Sequence, residues 1–229
     1  MRLEFFFDPT CPFAWVTSRW IVDVERQGVV DVTWRPLALR LLNEPIGYET
    51  RPPDYPHAHQ RGLEMLRVVD AARDRYGEGV VGTLYTAMGE EIWNGDPPAE
   101  ATFEAVLAEE ARPRDLGAVL ERAGLPGDLA EAATDTDRDL ALREETFIAV
   151  DGVGGDVGTP ILWFDPPRGP ALFGPVIDEV VTGDAARRLW DAVVTLAHAP
   201  GFAELKRTLR SFPHTPLSSR IAGEPTRVR

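Results

Sequence analysis

The pattern of apolar and polar positions in the first part of the chain predicts a strand, a helix and a second strand. Residues 1–7 are strongly apolar, and three consecutive phenylalanines in this run indicate a strand buried on both faces. Apolar positions three and four apart then predict a helix over residues 12–26, and alternation predicts a strand over residues 29–36. The order indicates a β-α-β unit, whose crossover is nearly always right-handed.

The pattern changes after residue 44. Four prolines between residues 45 and 59 predict a loop, because proline interrupts both helices and strands. Apolar positions at helical spacing then predict a series of helices, near residues 65–76, 81–92, 103–107, 116–123 and 136–149. Residues 45–150 are therefore predicted to form an all-helical insertion that lies over the end of the sheet.

The last part of the chain returns to strands. Short apolar runs at residues 161–164 and 171–173 flank a Pro-Pro-Arg-Gly turn and predict a hairpin, and an amphipathic helix follows over residues 186–197. From Arg210 onward the sequence is rich in Pro, Ser and Arg and predicts a loose tail. The fold class is thus α/β, with a discontinuous domain made of residues 1–44 and 151–229.

Composition and charge exclude several classes of function. The net charge of −13 over 229 residues argues against nucleic-acid binding, which requires an excess of basic residues. No apolar run approaches the length of a membrane span, about 18 residues. The chain begins directly with a strand and shows no secretory signal, so we expect a cytoplasmic protein without a membrane partner.

Cys11 is the only cysteine, so an internal disulfide and a multi-cysteine metal site are excluded. It stands between the first strand and the first helix, and Pro12 suits the first helical turn. Backbone N–H groups at a helix N-terminus favour thiolate, so we expect a partly exposed thiol with its pKa lowered from ~8.5 into roughly the 3.5–7.5 range. The alternative interpretation is a small buried apolar residue.

Other chemistry-bearing residues give weaker signals. His57 and His59 form a His-x-His pair in the proline-rich segment, but no third ligand is near, so we interpret them as part of a solvated loop and expect no metal. Asp8 is a candidate for proton transfer because it lies close to Cys11 in sequence.

The Cys11-Pro12 corner resembles the active-site corner of the thioredoxin superfamily, in its DsbA-like branch. Further blocks resemble the actinobacterial mycothiol-dependent nitroreductases of that branch, among them Phe7-Asp8-Pro9, Leu42-Asn43-Glu44, Val157-Gly158-Thr159-Pro160 and Phe173-Gly174-Pro175-Val176. The likeness extends from about residue 5 to residue 208. The family corner reads Cys-Pro-x-Cys, whereas this chain has Ala14 in place of the second cysteine.

The resemblance implies a thioredoxin-like fold with a large helical insertion and assigns roles to particular residues. Cys11 is then the catalytic residue, next to Pro12. Thr159 and Pro160 are joined by a cis peptide bond that lies against Cys11 and turns the backbone of Thr159 toward a substrate. The remaining predicted substrate-binding residues are Phe13, which the family presents to the substrate, and Asn43, for which helix capping is an equal alternative.

A single cysteine implies a monothiol cycle in which an external thiol releases Cys11 from its mixed disulfide. We therefore predict a thiol-disulfide oxidoreductase without a tightly bound cofactor, with a low-molecular-weight thiol such as mycothiol as cosubstrate and with disulfides or nitro compounds as substrates. One alternative is an enzyme like the kappa-class glutathione transferases or hydroxychromene-carboxylate isomerases, which use a bound thiol without redox change. Another is a non-catalytic relative. The oligomeric state, including a homodimer, stays open.

Overall fold

The computed structural model describes residues 1–206 and 211–223. The strands are β1 (Arg2–Phe7), β2 (Asp31–Pro36), β3 (Ile161–Phe164) and β4 (Ala171–Phe173). The α-helices are α1 (Pro12–Arg26), α2 (Leu39–Asn43), α3 (Tyr55–Tyr76), α4 (Val81–Trp93), α5 (Phe103–Glu110), α6 (Leu116–Arg122), α7 (Asp139–Gly152) and α8 (Gly183–Ala197).

The four strands form one sheet in the order β2-β1-β3-β4. β1 pairs in parallel with β2 and antiparallel with β3, so that Phe5 lies between Trp34 and Leu162. Phe5, Phe6 and Phe7 are all fully buried, which confirms that this central strand is covered on both faces. A β-α-β unit followed by an antiparallel hairpin and a closing helix is the predicted thioredoxin-like order, and the fold prediction is confirmed.

Helix α1 begins where the sequence predicts. Cys11 is the N-cap, Pro12 is the first helical residue, and Gly28 adopts a φ of 71° just past the end. This conformation favours glycine because it carries no Cβ. The predicted helix over residues 12–26 is therefore confirmed.

Two glycines of α4, in the helical region of residues 45–150, allow this helix to pack closely against α1 and β2. A Cβ at Gly89 would lie 2.1 Å from Trp15 Cζ3, and one at Gly82 would lie 2.6 Å from Trp34 Cδ1. Trp93 Nε1 also donates a hydrogen bond to Pro9 O at 3.0 Å. These contacts fix α4 beside the strand end that carries Cys11.

Two parts of the chain differ from the sequence prediction. Helix α3 begins at Tyr55, so Pro56 belongs to its first turn and not to a loop, since the N–H that proline lacks has no partner in a first turn anyway. The predicted loose tail from Arg210 is also wrong for residues 211–223, which pack against the protein and bury three apolar side chains. These are Phe212, Leu217 and Ile221.

The C-terminal segment, residues 211–223, bonds both to α4 in the helical region and to the loop after β4. The N–H of Leu217 donates to Trp93 O at 3.1 Å in α4, and that of His214 donates to Asp178 O at 2.7 Å in the loop after β4. The rest of the predicted tail, residues 207–210 and 224–229, lies outside the described residues. Within the described parts of the chain, every helix is too short or too polar to traverse a bilayer.

Candidate active site

Cys11 occupies the turn between β1 and α1. Its own N–H donates to Asp8 O at 3.0 Å, which closes the turn. The N–H of Ala14 points at Cys11 Sγ at 3.4 Å, and the thiol donates to Thr159 O, also at 3.4 Å. The sulfur therefore faces the helix N-terminus, as predicted, but only 8% of the residue is exposed.

Burial dominates the ionisation of this thiol. Removal from water is the largest effect on the pKa of Cys11 and raises it, as do the charges of Asp8 and Glu110, while the N–H groups of Ala14 and Phe13 lower it. The net result is a pKa of about 12. The predictions of partial exposure and of a lowered pKa are therefore wrong. The physical reason is that two N–H groups do not compensate for the loss of water around the thiolate.

Thr159 and Pro160 lie beside Cys11. Their peptide bond is cis, the isomer expected from the resemblance. Thr159 Oγ1 donates to Phe6 O at 2.7 Å, and Pro160 O accepts from the N–H of Gly174 at 2.9 Å. Thr159 is thus anchored to β1, and its carbonyl oxygen accepts from the Cys11 thiol instead of pointing outward.

The other predicted site residues, Pro12, Phe13 and Asn43, lie in three different environments. Pro12 opens α1 directly after the cysteine. Phe13 is half-buried, and its ring centre lies 6.4 Å from that of Phe212 in the C-terminal segment. Asn43 Nδ2 donates to Leu39 O at 2.8 Å, so its amide is used within α2. This bond lies inside α2, whose N-cap is Ala38, so Asn43 is not the N-cap of that helix, and its contact with a ligand stays a prediction.

Asp8 is fully buried below the cysteine turn. Its carboxylate accepts hydrogen bonds from the N–H and Oγ1 of Thr10 and from the N–H of Leu39, at 2.8–2.9 Å. Burial raises the pKa of Asp8 to about 6, although these three hydrogen bonds lower it. Asp8 therefore ties the turn to the start of α2, and its role in proton transfer stays a prediction.

Glu110, at the end of α5, was not found from the sequence. It is only 5% exposed. Burial raises the pKa of Glu110 well above its ordinary value, and a charge on it would raise the pKa of Cys11 and of Tyr55. Glu110 is thus a buried carboxyl group that acts electrostatically on the thiol. A glutamate late in a short helix carries no sequence signal for this role.

Tyr48, Tyr55 and His59 form an aromatic cluster at the start of the helical region. The hydroxyl of Tyr48 bonds to His59 Nδ1 at 2.9 Å, and the rings of Tyr55 and His59 lie 4.7 Å apart. Burial, with the charges of Arg40 and Arg51, lowers the pKa of His59 to about 4. The interpretation of His59 as part of a solvated loop is wrong, because α3 begins early enough to turn it inward.

His57 is exposed, in agreement with its predicted solvation. In residues 1–206 and 211–223, no group of three or more His, Cys, Asp or Glu side chains is arranged to hold a metal ion.

Most of this chain matches one known protein family. Residues 10–207 match the family model described as Rv2466c-like, mycothiol-dependent nitroreductase Rv2466c. The chain is also 29% identical over 214 residues to the uncharacterized protein Rv2286c of Mycobacterium tuberculosis, covering 90% of this chain and 81% of that protein.

Two solved structures share the fold at low identity. A probable DsbA oxidoreductase, SCO1869 from Streptomyces coelicolor, has a TM-score of 0.52 at 16% identity, covering 94% of this chain and 97% of that one. The cytosolic disulfide reductase DsbM from Pseudomonas aeruginosa has a TM-score of 0.51 at 15% identity, covering 86% of this chain and 100% of that one. Both support a DsbA-like, thioredoxin-type fold.

Proposed function

Because the chain belongs to the Rv2466c-like family of mycothiol-dependent nitroreductases, we propose that it is a monothiol oxidoreductase whose reactive group is Cys11. The observation that carries the proposal is the position of this sulfur, between the N–H of Ala14 at the start of α1 and the carbonyl of Thr159. Pro12, Phe13 and Pro160 lie around it, and we propose that the substrate contacts them. The working compartment is proposed to be the cytoplasm, where thiols stay reduced.

The proposed exchange has two balanced steps. The Cys11 thiolate attacks a disulfide R–S–S–R, forms Cys11–S–S–R and releases RS⁻. A second thiolate R′S⁻ then attacks the R sulfur, forms R′–S–S–R and releases the Cys11 thiolate. Mycothiol, or another low-molecular-weight thiol, is the proposed R′S⁻, because Ala14 stands where a second cysteine would resolve the mixed disulfide internally.

The high pKa of Cys11 has consequences for both steps. At a given pH little thiolate is present, but each thiolate is a strong nucleophile because nucleophilicity rises with pKa. In the second step Cys11 is the leaving group, and a thiolate of high pKa leaves slowly. We therefore expect the mixed disulfide on Cys11 to persist long enough to be trapped.

Reduction of a nitro compound is the second candidate, and family membership favours it. The balanced first step is Cys11–SH + R′SH + RNO₂ → Cys11–S–S–R′ + RNO + H₂O, in which the two thiols supply two electrons and two protons. A further R′SH then restores Cys11–SH and releases R′–S–S–R′. Each cycle therefore consumes two molecules of the external thiol, since Cys11 supplies only one sulfur.

The test compares the wild type with Cys11→Ser and Ala14→Cys by intact mass spectrometry and by turnover. The wild type should turn over only with added thiol and should accumulate a protein–thiol adduct on Cys11. The Ala14→Cys variant should form an internal disulfide, because residues 11 and 14 share the first turn of α1. Disulfide turnover by the wild type without an external thiol would contradict the monothiol cycle.

Two further outcomes would redirect the assignment. Activity that survives in Cys11→Ser when a thiol is present would favour a transferase or isomerase that uses a bound thiol. A wild type that forms no adduct with any thiol or disulfide would favour a non-catalytic relative.

A further inference from the structure

Two arginines near the candidate site form no ion pair with a described carboxylate, unlike ten of the nineteen described arginines. Arg35, Arg67 and Arg73, for example, each pair with an acidic side chain. No carboxylate among the described residues forms an ion pair with Arg40, on α2, or with Arg51, in the segment before α3. Their positive charges are therefore not neutralised within the described structure.

Both guanidinium groups lie against the same aromatic cluster. Arg40 Cζ is 5.1 Å from the ring centre of Tyr48, and Arg51 Cζ is 5.3 Å from that of Tyr55. The two tyrosine rings are themselves 6.4 Å apart. Cation–π contacts of this kind hold the guanidinium groups in place and bring the arginine pair, Arg40 and Arg51, to one part of the surface.

The arginine pair lies near the reactive thiol. Arg40 follows Leu39, whose N–H donates to the Asp8 carboxylate at 2.9 Å, and Asp8 O accepts from the N–H of Cys11 at 3.0 Å. These two hydrogen bonds place the start of α2, and with it Arg40, beside the turn that carries Cys11. Arg51 joins this region through the contact between Tyr48 and Tyr55. Arg40 is half-buried and Arg51 is exposed, so the pair remains accessible from solvent.

Local positive charge is significant in this protein because its net charge is −13. The overall field repels small anions, and an anionic substrate needs a local group of cations to approach the thiol. A guanidinium group carries several N–H donors in a planar arrangement that matches the two oxygens of a carboxylate. One side-chain hydrogen bond of Arg40 goes to Tyr48, which leaves other donors of this group for a ligand.

We propose that Arg40 and Arg51 bind the carboxylate of a small organic substrate while its disulfide or nitro group reacts at Cys11. This inference rests on the proposed function and adds a substrate class to it, namely substrates that bear a carboxylate. An uncharged thiol such as mycothiol does not need the arginine pair, so the pair acts on the substrate and not on the cosubstrate.

The first test uses two disulfide reagents of different charge. 5,5′-Dithiobis(2-nitrobenzoic acid) carries a carboxylate on each ring, and 4,4′-dithiodipyridine is uncharged at neutral pH. The rate constant for modification of Cys11 is measured for the wild type, for the double variant Arg40→Gln/Arg51→Gln, and for Arg168→Gln/Arg188→Gln. Arg168, between β3 and β4, and Arg188, on α8, are both exposed, so their double variant controls for the loss of two charges.

The double variant should react about tenfold more slowly with the dicarboxylate reagent, while its rate with the neutral reagent stays within about twofold of wild type. Added salt should slow the wild type with the dicarboxylate reagent only. Equal rates for the double variant and the wild type with the dicarboxylate, or an equal slowing of both reagents, would overturn the arginine-pair proposal.

The second test does not depend on reaction at Cys11. In a Cys11→Ser background, binding of 2-nitrobenzoate is followed by calorimetry, with and without Arg40→Gln/Arg51→Gln, after circular dichroism has verified the fold. We expect binding that the double substitution weakens about tenfold. Absence of binding, or binding that the substitutions leave unchanged, would reject the carboxylate site. Failure of Cys11 to react with either disulfide reagent would reject the monothiol function alone.

Discussion

Toward α1 and the sheet Cys11 meets backbone groups, whereas on its helical side ionisable side chains act on it electrostatically. The first set consists of the N–H of Ala14, in the first turn of α1, and the carbonyl of Thr159, a residue that is anchored to β1 through its Oγ1. The helical region contributes Glu110 from α5 and Tyr55 from α3. The first set positions the sulfur, and the second set disfavours a negative charge on it.

The two influences act in opposite directions on the thiol. The helix N-terminus lowers the pKa of Cys11, but desolvation raises it by a larger amount. A cysteine at a helix N-terminus is therefore activated only if it is also accessible to water or to a charged partner. In this structure burial, and not the helix cap, has the larger effect on the pKa of Cys11.

The largest expected effect is on the reactivity of Cys11 itself. With a pKa of about 12 instead of 9.0, the fraction of thiolate at neutral pH should be about a thousandfold lower than in an unperturbed thiol. The rate of alkylation by iodoacetamide should still be rising at pH 10 in the folded protein. The urea-unfolded chain is the control and should show the midpoint of an unperturbed thiol, near 9.0. A midpoint below that value in the folded protein would show that the helix cap dominates.

The second effect concerns His59 and the pH dependence of stability. The folded-state pKa of His59 is lowered from 6.5 to about 4, so the unfolded chain binds a proton first as the pH falls. His59 should therefore contribute stability fully above pH 6.5 and lose it down to about pH 4, a loss of about 3 kcal/mol.

This loss is best measured as a difference between two proteins. The free energy of unfolding of the wild type minus that of His59→Gln should be constant above pH 6.5 and should fall between pH 6.5 and about pH 4. The subtraction cancels the titration of the other groups. A pH-independent difference would mean that His59 is accessible to protons in the folded state.

The third and smallest expected effect concerns the contact between α4 and α1. In Gly89→Ala the new methyl group would meet the ring of Trp15, and the free energy of unfolding should fall by about 2 kcal/mol. Gly79→Ala is the matched control, since nothing lies within 4 Å of its added Cβ. Urea denaturation measures both variants. If the two substitutions had equal effects, α4 would not be held tightly against α1.

The sequence predicts the strands and α1 well, and the helical region of residues 45–150 less completely. β1, α1 and the hairpin of β3 and β4 were predicted because strong apolar periodicity and a proline in the first helical turn specify them locally. The burial of His59 and Glu110 was not predicted. Which face of α3 or α5 turns inward depends on packing against distant residues, and no local pattern records it.

The packing of residues 211–223 has a consequence for the order in which this protein is made. Phe212 contacts Phe13, close to Cys11 in the chain, and Phe103 in α5, with ring centres 6.4 and 5.8 Å apart. During synthesis these residues leave the ribosome after every element that they touch. The side of the candidate site next to Phe13 is therefore covered only after those elements have been made. In a nascent chain that still lacks Phe212, the rings of Phe13 and Phe103 do not have this contact.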